Sequence, residues 1–98
     1  MFVRVNIFKF SKAMHAEMLI SMVQTKMIPL MKQKSKCLSM KLIDIGEGKV
    51  MNVATYANEE DFNDSNKWMR PLIAEMVNTL GGKVESIPGQ VLLTYEKT

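Results

Sequence analysis

At 98 residues the chain fits one domain, residues 1–98, of a size at which the core is thin and association often supplements it. Hydrophobic residues at 47% and charged residues at 23% exclude a disordered tract and describe a folded globular domain. Thirteen basic residues against ten acidic ones leave a net charge of +3, too slight an excess to mark a nucleic-acid binder.

No apolar run approaches the roughly 20 residues that cross a bilayer, and Met1 to Phe10 goes straight into a strand pattern. Neither a transmembrane helix nor a signal peptide is expected. Cys37 is the single cysteine and cannot close an intramolecular disulfide, so the expected compartment is the reducing cytoplasm.

The first strand spans Phe2 to Phe10 and alternates. Val3, Val5 and Ile7 form an aliphatic side, expected to lie under helices; Phe2, Arg4, Asn6, Phe8 and Phe10 form a mixed side, expected to meet water, a ligand or a second subunit. Ser11 suits the N-cap of a helix over Lys12 to Lys34, with Met14, Met18, Leu19, Met22, Val23, Ile28 and Met31 as its apolar stripe. Pro29 removes a backbone donor inside that helix, which predicts a kink or break near Ile28. Lys32, Lys34 and Lys36, with Lys41 nearby, are the one local concentration of charge; the first three suit the negative end of a helix.

Cys37 to Ile45 and Lys49 to Ala57 read as two strands joined in a hairpin through Gly46-Glu47-Gly48. Asn58 is placed to cap a second helix whose first turn carries Glu59, Glu60 and Asp61. Phe62, Met69, Ile73, Met76 and Leu80 mark its buried stripe, Pro71 interrupts it, and Gly81-Gly82 ends it. Pro88-Gly89 reads as a turn into a last strand over Gln90 to Glu96. The order β-α-β-β-α-β predicts an α+β, ferredoxin-like domain, a four-stranded antiparallel sheet with both helices on one face. That arrangement leaves the other face needing cover, and a second copy of the chain would supply it.

No catalytic triad, metal-ligand cluster or phosphate loop stands out, and catalytic residues are not assigned. His15 is the sole imidazole and is expected at the surface of the first helix; Cys37, with no histidine to activate it, is expected to be inert. Ten methionines fall largely on helix stripes and read as adaptable core filling. No aromatic pair suits the sheet-face stacking of RNA-binding modules of similar topology.

Over residues 2 to 97 the chain resembles the antibiotic-biosynthesis-monooxygenase-like family of dimeric α/β barrels. The resemblance rests on the polar pair Arg4 and Asn6 on the first strand, the proline-bearing segment Met27-Ile28-Pro29-Leu30-Met31, and the glycine hairpin. It continues through Asn58-Glu59-Glu60-Asp61-Phe62 and Trp68-Met69-Arg70-Pro71-Leu72-Ile73. It implies a homodimer built on the open sheet faces and a cleft between sheet and helices or partner sheet. The implied function is binding of a small aromatic or apolar metabolite, with cofactor-independent monooxygenation among the family's activities. Arg4 and Asn6 would orient the ligand, and Phe8 and Trp68 would wall it. The haem-degrading branch of the family does not fit: Asn6 and Trp68 match in type, but Asn78 stands ten residues beyond Trp68 and no histidine follows His15. No cofactor is implied. The alternative is a non-catalytic small-molecule-binding or structural dimer.

Overall fold

A computed structural model describes residues 1–97. Its elements are β1 (Phe2–Lys9), α1 (Ala13–Met22), a π-helical turn (Val23–Met27), α2 (Ile28–Lys34), β2 (Ser39–Gly46), β3 (Lys49–Tyr56), α3 (Glu59–Thr79) and β4 (Lys83–Gln90). The strands form one antiparallel sheet in the order β2-β3-β1-β4, with β1 pairing β3 and β4, and β3 pairing β2. The core joins Leu19, Val23, Met27, Met69, Ile73, Met76 and Val77 of the helical layer to Phe8 and Val50 of the sheet. Both helical segments therefore cover a single face, as the β-α-β-β-α-β order predicts.

Pro29 has no N–H to continue the α-helical ladder, and its ring crowds the carbonyl four residues back. The chain answers by widening: the Ile28 N–H reaches the Val23 carbonyl, five residues back, and the π-helical turn falls just before the proline. α3 behaves differently. It runs unbroken for 21 residues through Pro71, which lies on the exposed side. Its start is fixed by Asn58, whose side-chain oxygen accepts from the Asp61 N–H at 2.8 Å, above an acidic first turn. At its end the Gly82 N–H reaches back to the Val77 carbonyl at 3.0 Å, with Gly81 in the left-handed region at φ 67°.

Besides the interruption expected at Pro71, four expectations are corrected. β1 is phased the other way: Arg4, Asn6 and Phe8 are buried under the helices, and Val3, Val5 and Ile7 lie half-buried on the open face. Both sides of this strand are rich in apolar residues, and the polar pair on the inner side finds partners too distant in sequence to be foreseen. The stripe of α1 is rotated as well, with Ala16 and Leu19 buried while Met14 and Met18 are exposed and His15 is half-buried. Ser11 is not the cap; Lys12 holds that position without a side-chain hydrogen bond. Finally, Pro88-Gly89 belongs to the strand, since β4 ends at Gln90 and Val91–Lys97 adopt no regular structure. β4 is an edge strand, where proline costs no central ladder bond. Among the described residues, no helix is long and apolar enough to cross a membrane.

Candidate functional site

The strand register sets a polar row across the helix-covered side of the sheet. Asn52 on β3, Asn6 on β1 and Ser86 on β4 lie abreast, one rung from the Ala54, Arg4 and Pro88 row. A buried amide must be satisfied or it costs about 1–3 kcal/mol. Asn6, with no exposure, donates to the Asn52 side chain at 3.3 Å and accepts from the Ser86 hydroxyl. Asn52 in turn donates to the Lys41 carbonyl at 3.3 Å. These bonds tie all four strands together beneath the helices.

Arg4 is less completely provided for. Its side chain is 3% exposed, and Nη1 donates to the Asn66 side-chain oxygen of α3 at 2.8 Å. Nη2 faces the Met69 sulfur at 3.8 Å, and the guanidinium lies 5.9 Å from the Phe62 ring centre. Nε has no hydrogen-bond partner, alone among the buried side-chain nitrogens and oxygens of the described residues. Burial pulls the guanidinium below its ordinary pKa, opposed by the nearby Tyr56 and Cys37 side chains. It remains charged all the same, because arginine starts far above neutral pH.

Beside Arg4 a cavity of about 550 Å³ opens between α3 and the β1–β4 edge of the sheet. Phe62, Ile73, Ala74, Val84 and Pro88 supply its apolar walls, and Arg4, Asn66, Arg70 and Ser86 its polar groups. Phe62, Asn66, Arg70 and Ala74 recur every fourth residue, so a single stripe of α3 forms one wall. Among the described residues, no acidic one lines the cavity.

Of the four residues singled out from the sequence, Arg4 lines this cavity. Asn6 and Phe8 sit deeper, around an inner space of about 10 Å³, room for one water at most. Trp68 lines neither space; it packs at the edge of the core with Lys34 of α2 4.7 Å above its ring. Asn66, Arg70 and Ser86 were missed. The first two are signalled only by lying four and eight residues after Phe62, beside the apolar stripe, and Ser86 only by strand pairing.

The remaining reactive groups have local explanations. Cys37 is half-buried, its thiol donates to the Ser39 carbonyl at 3.1 Å, and burial pushes its pKa up, the opposite of an activated nucleophile. Within the lysine cluster, Lys36 pairs with Asp64 at 3.0 Å and Lys34 covers Trp68. Among the described residues no group of three or more histidines, cysteines or carboxylates is placed to hold a metal ion.

No protein-family model and no curated protein matches the sequence. Solved structures do match in fold. A dimeric ferredoxin-like protein from an uncultured marine organism superposes with a TM-score of 0.78 at 9% identity, covering 99% of this chain and 100% of that one. A monooxygenase from the ActVA-Orf6 gene of Streptomyces coelicolor, solved with nanaomycin D, gives 0.76 at 17% identity over 99% and 92% of the two chains. SnoaB, a cofactor-independent oxygenase from Streptomyces nogalater, gives 0.70 at 12% identity over 98% and 97%. Spanning nearly the full length of each, the chain has the ferredoxin-like fold that these proteins share, as its element order predicts.

Proposed function

We propose that this protein is a cytoplasmic homodimer that binds a small aromatic metabolite in the cavity between α3 and the β1–β4 edge, and that its reaction is a cofactor-independent oxygenation. The observation that carries the reading is the cavity itself. At about 550 Å³, it is in the size range of small-molecule sites, and it joins apolar walls to a few fixed polar groups. Arg4 is held against Asn66 by the sheet and α3, so its charge is oriented before any ligand arrives. An electron-rich phenol bound there would have its anion favoured by that charge, and the phenolate can itself supply electrons to dioxygen. Asn6 and Phe8 act from beneath, Asn6 bracing the strand and Phe8 closing the core under it; Trp68 acts at a distance by packing α3 against α2.

Dimerisation is assigned to the opposite side of the sheet. Val3, Val5, Ile7, Met51, Val53 and Ile43 make a largely aliphatic surface on three adjacent strands, with Ile43 39% exposed. Such a patch is costly to leave in water. A second copy presents the same surface and can cover it through a two-fold axis, each patch meeting its own equivalent. The fold's occurrence in proteins described as dimeric is consistent with this occupant.

One observation favours a second reading, a binding protein without catalysis: among the described residues the cavity lining holds no carboxylate, imidazole or thiol to accept a substrate proton. Thermal-shift titration with quinols and flavonoids, followed by oxygen-electrode measurements on any that bind, separates the cases. Ligands that raise Tm and consume oxygen support the oxygenase. Ligands that raise Tm without oxygen uptake support the binding protein. If none raises Tm, the cavity is not an aromatic site, since binding to the native state must stabilise it.

A further inference from the structure

We propose that the cavity is built for an aromatic acid, with Arg4 and Arg70 receiving its carboxylate; this rests on the cavity being the ligand site and adds the charge of the ligand. Arg4 is almost wholly withdrawn from water, yet no carboxylate among the described residues pairs with it. A buried cation without a counter-ion is expensive, and structures normally supply one. Here the protein contributes only neutral partners: the Asn66 oxygen, the Met69 sulfur and the Phe62 ring.

The donors left over are also informative. With Nη1 committed to Asn66, the Nε and Nη2 edge of the guanidinium has no oxygen acceptor. That edge is turned toward the buried Met69, so the guanidinium borders the cavity on its Nη1 side, beside Asn66, and it is there that its charge is offered to a carboxylate. Arg70 adds a second guanidinium from α3, exposed and without a carboxylate partner, at the cavity's outer side. The polar groups of the lining are thus two cations and two neutral side chains, with nothing to repel an anion. The remaining walls, Phe62, Ile73, Val84 and Pro88 among them, suit a flat hydrocarbon. A phosphate is a poorer fit, because its higher charge and three oxygens call for more donors than this apolar lining offers.

Isothermal titration calorimetry at neutral pH with 1-naphthoate and its methyl ester tests the assignment. The two share a ring and differ in charge. Naphthoate is expected to bind at least about tenfold tighter than the ester, the scale of one charge-assisted contact pair. Arg70→Gln, at an exposed helical position, and Arg4→Met are each expected to abolish that preference, bringing naphthoate affinity to that of the ester measured on the same variant. Circular dichroism establishes that each variant is folded, and Arg70→Gln decides the matter if Arg4→Met is not. Equal affinity for acid and ester would overturn the anion assignment and leave the cavity standing as a neutral aromatic site. Tight acid binding that survives Arg70→Gln would overturn it too, placing the anion elsewhere. Binding of neither probe would remove both the anion assignment and the cavity reading.

Discussion

Arg4 and Asn6 show why individual polar residues are the hardest part of this chain to read. Their types marked them as unusual for a strand, and that much was legible. Their direction was not, because it depends on Asn52, Ser86 and Asn66, which lie 46, 80 and 62 residues away and become neighbours only through strand pairing and the docking of α3. A buried polar residue is stable only with its partners, and the strand alternation gives no view of them. Tyr56 illustrates the same environment at a titrating group. It is fully buried, its hydroxyl lies 3.7 Å from the Met69 sulfur, and burial pushes its pKa up to about 12. The native state therefore holds this proton more tightly than the unfolded chain, whose tyrosines titrate near pH 10. Between pH 10 and about 12 the unfolded state loses the proton first, so stability should fall with rising pH across that window. Urea unfolding of wild type and Tyr56→Phe as a function of pH checks this. The wild type should lose more stability than the variant above pH 10, and parallel curves would refute it.

At the scale of the elements, the local signals did their work where the physics is local. The Asn58 cap, the acidic first turn, the buried stripe of α3 and the Gly81-Gly82 ending depend on residues within a few positions of one another, and all appear where the sequence puts them. So does the disturbance before Pro29. The last strand was misplaced because proline and glycine usually signal a turn, whereas an edge strand accommodates both. The hairpin gives a quantitative test. Glu47 and Gly48 both have positive φ, 57° and 76°, as a two-residue turn of the primed type requires. Gly48 also packs so closely on the Phe10 carbonyl that a Cβ there would collide with backbone, while a Cβ on Gly46, at φ 84°, would meet nothing within 4 Å. Both Gly→Ala changes carry the left-handed penalty of about 1 kcal/mol. Gly48→Ala alone adds the collision and should cost about 1–3 kcal/mol more in urea unfolding. Equal costs at the two positions would show that the Phe10 contact yields freely.

On the proposed function, the molecule as a whole divides its sheet between two tasks. The sequence order gave the layers but assigned the faces the wrong way round, since a strand with apolar residues on both sides offers no internal criterion for which side the helices take. With the phase corrected, the polar groups and the cavity belong to the helix-covered side, and the aliphatic side is left for a partner. The residues that line the cavity are supplied by this one chain. Beyond β4, Leu92, Leu93 and Tyr95 are 91%, 90% and 81% exposed in a segment that begins with the Val91 N–H bonded to the Met1 carbonyl. Together with the open face, this segment adds to the apolar surface that a single copy leaves in water. Val5 stands in the middle of the open face, between Val53 of β3 and Ile87 of β4. Sedimentation velocity at micromolar concentration measures the consequence directly. Wild type should sediment at twice the 11.2 kDa chain mass, and Val5→Asp, which places a charge in the centre of the buried face, should sediment as a single chain with its α/β circular dichroism retained. A wild-type protein that sediments as a single 11.2 kDa chain, or a Val5→Asp protein that dimerises as well as wild type, would contradict the division of the sheet into a binding side and a pairing side.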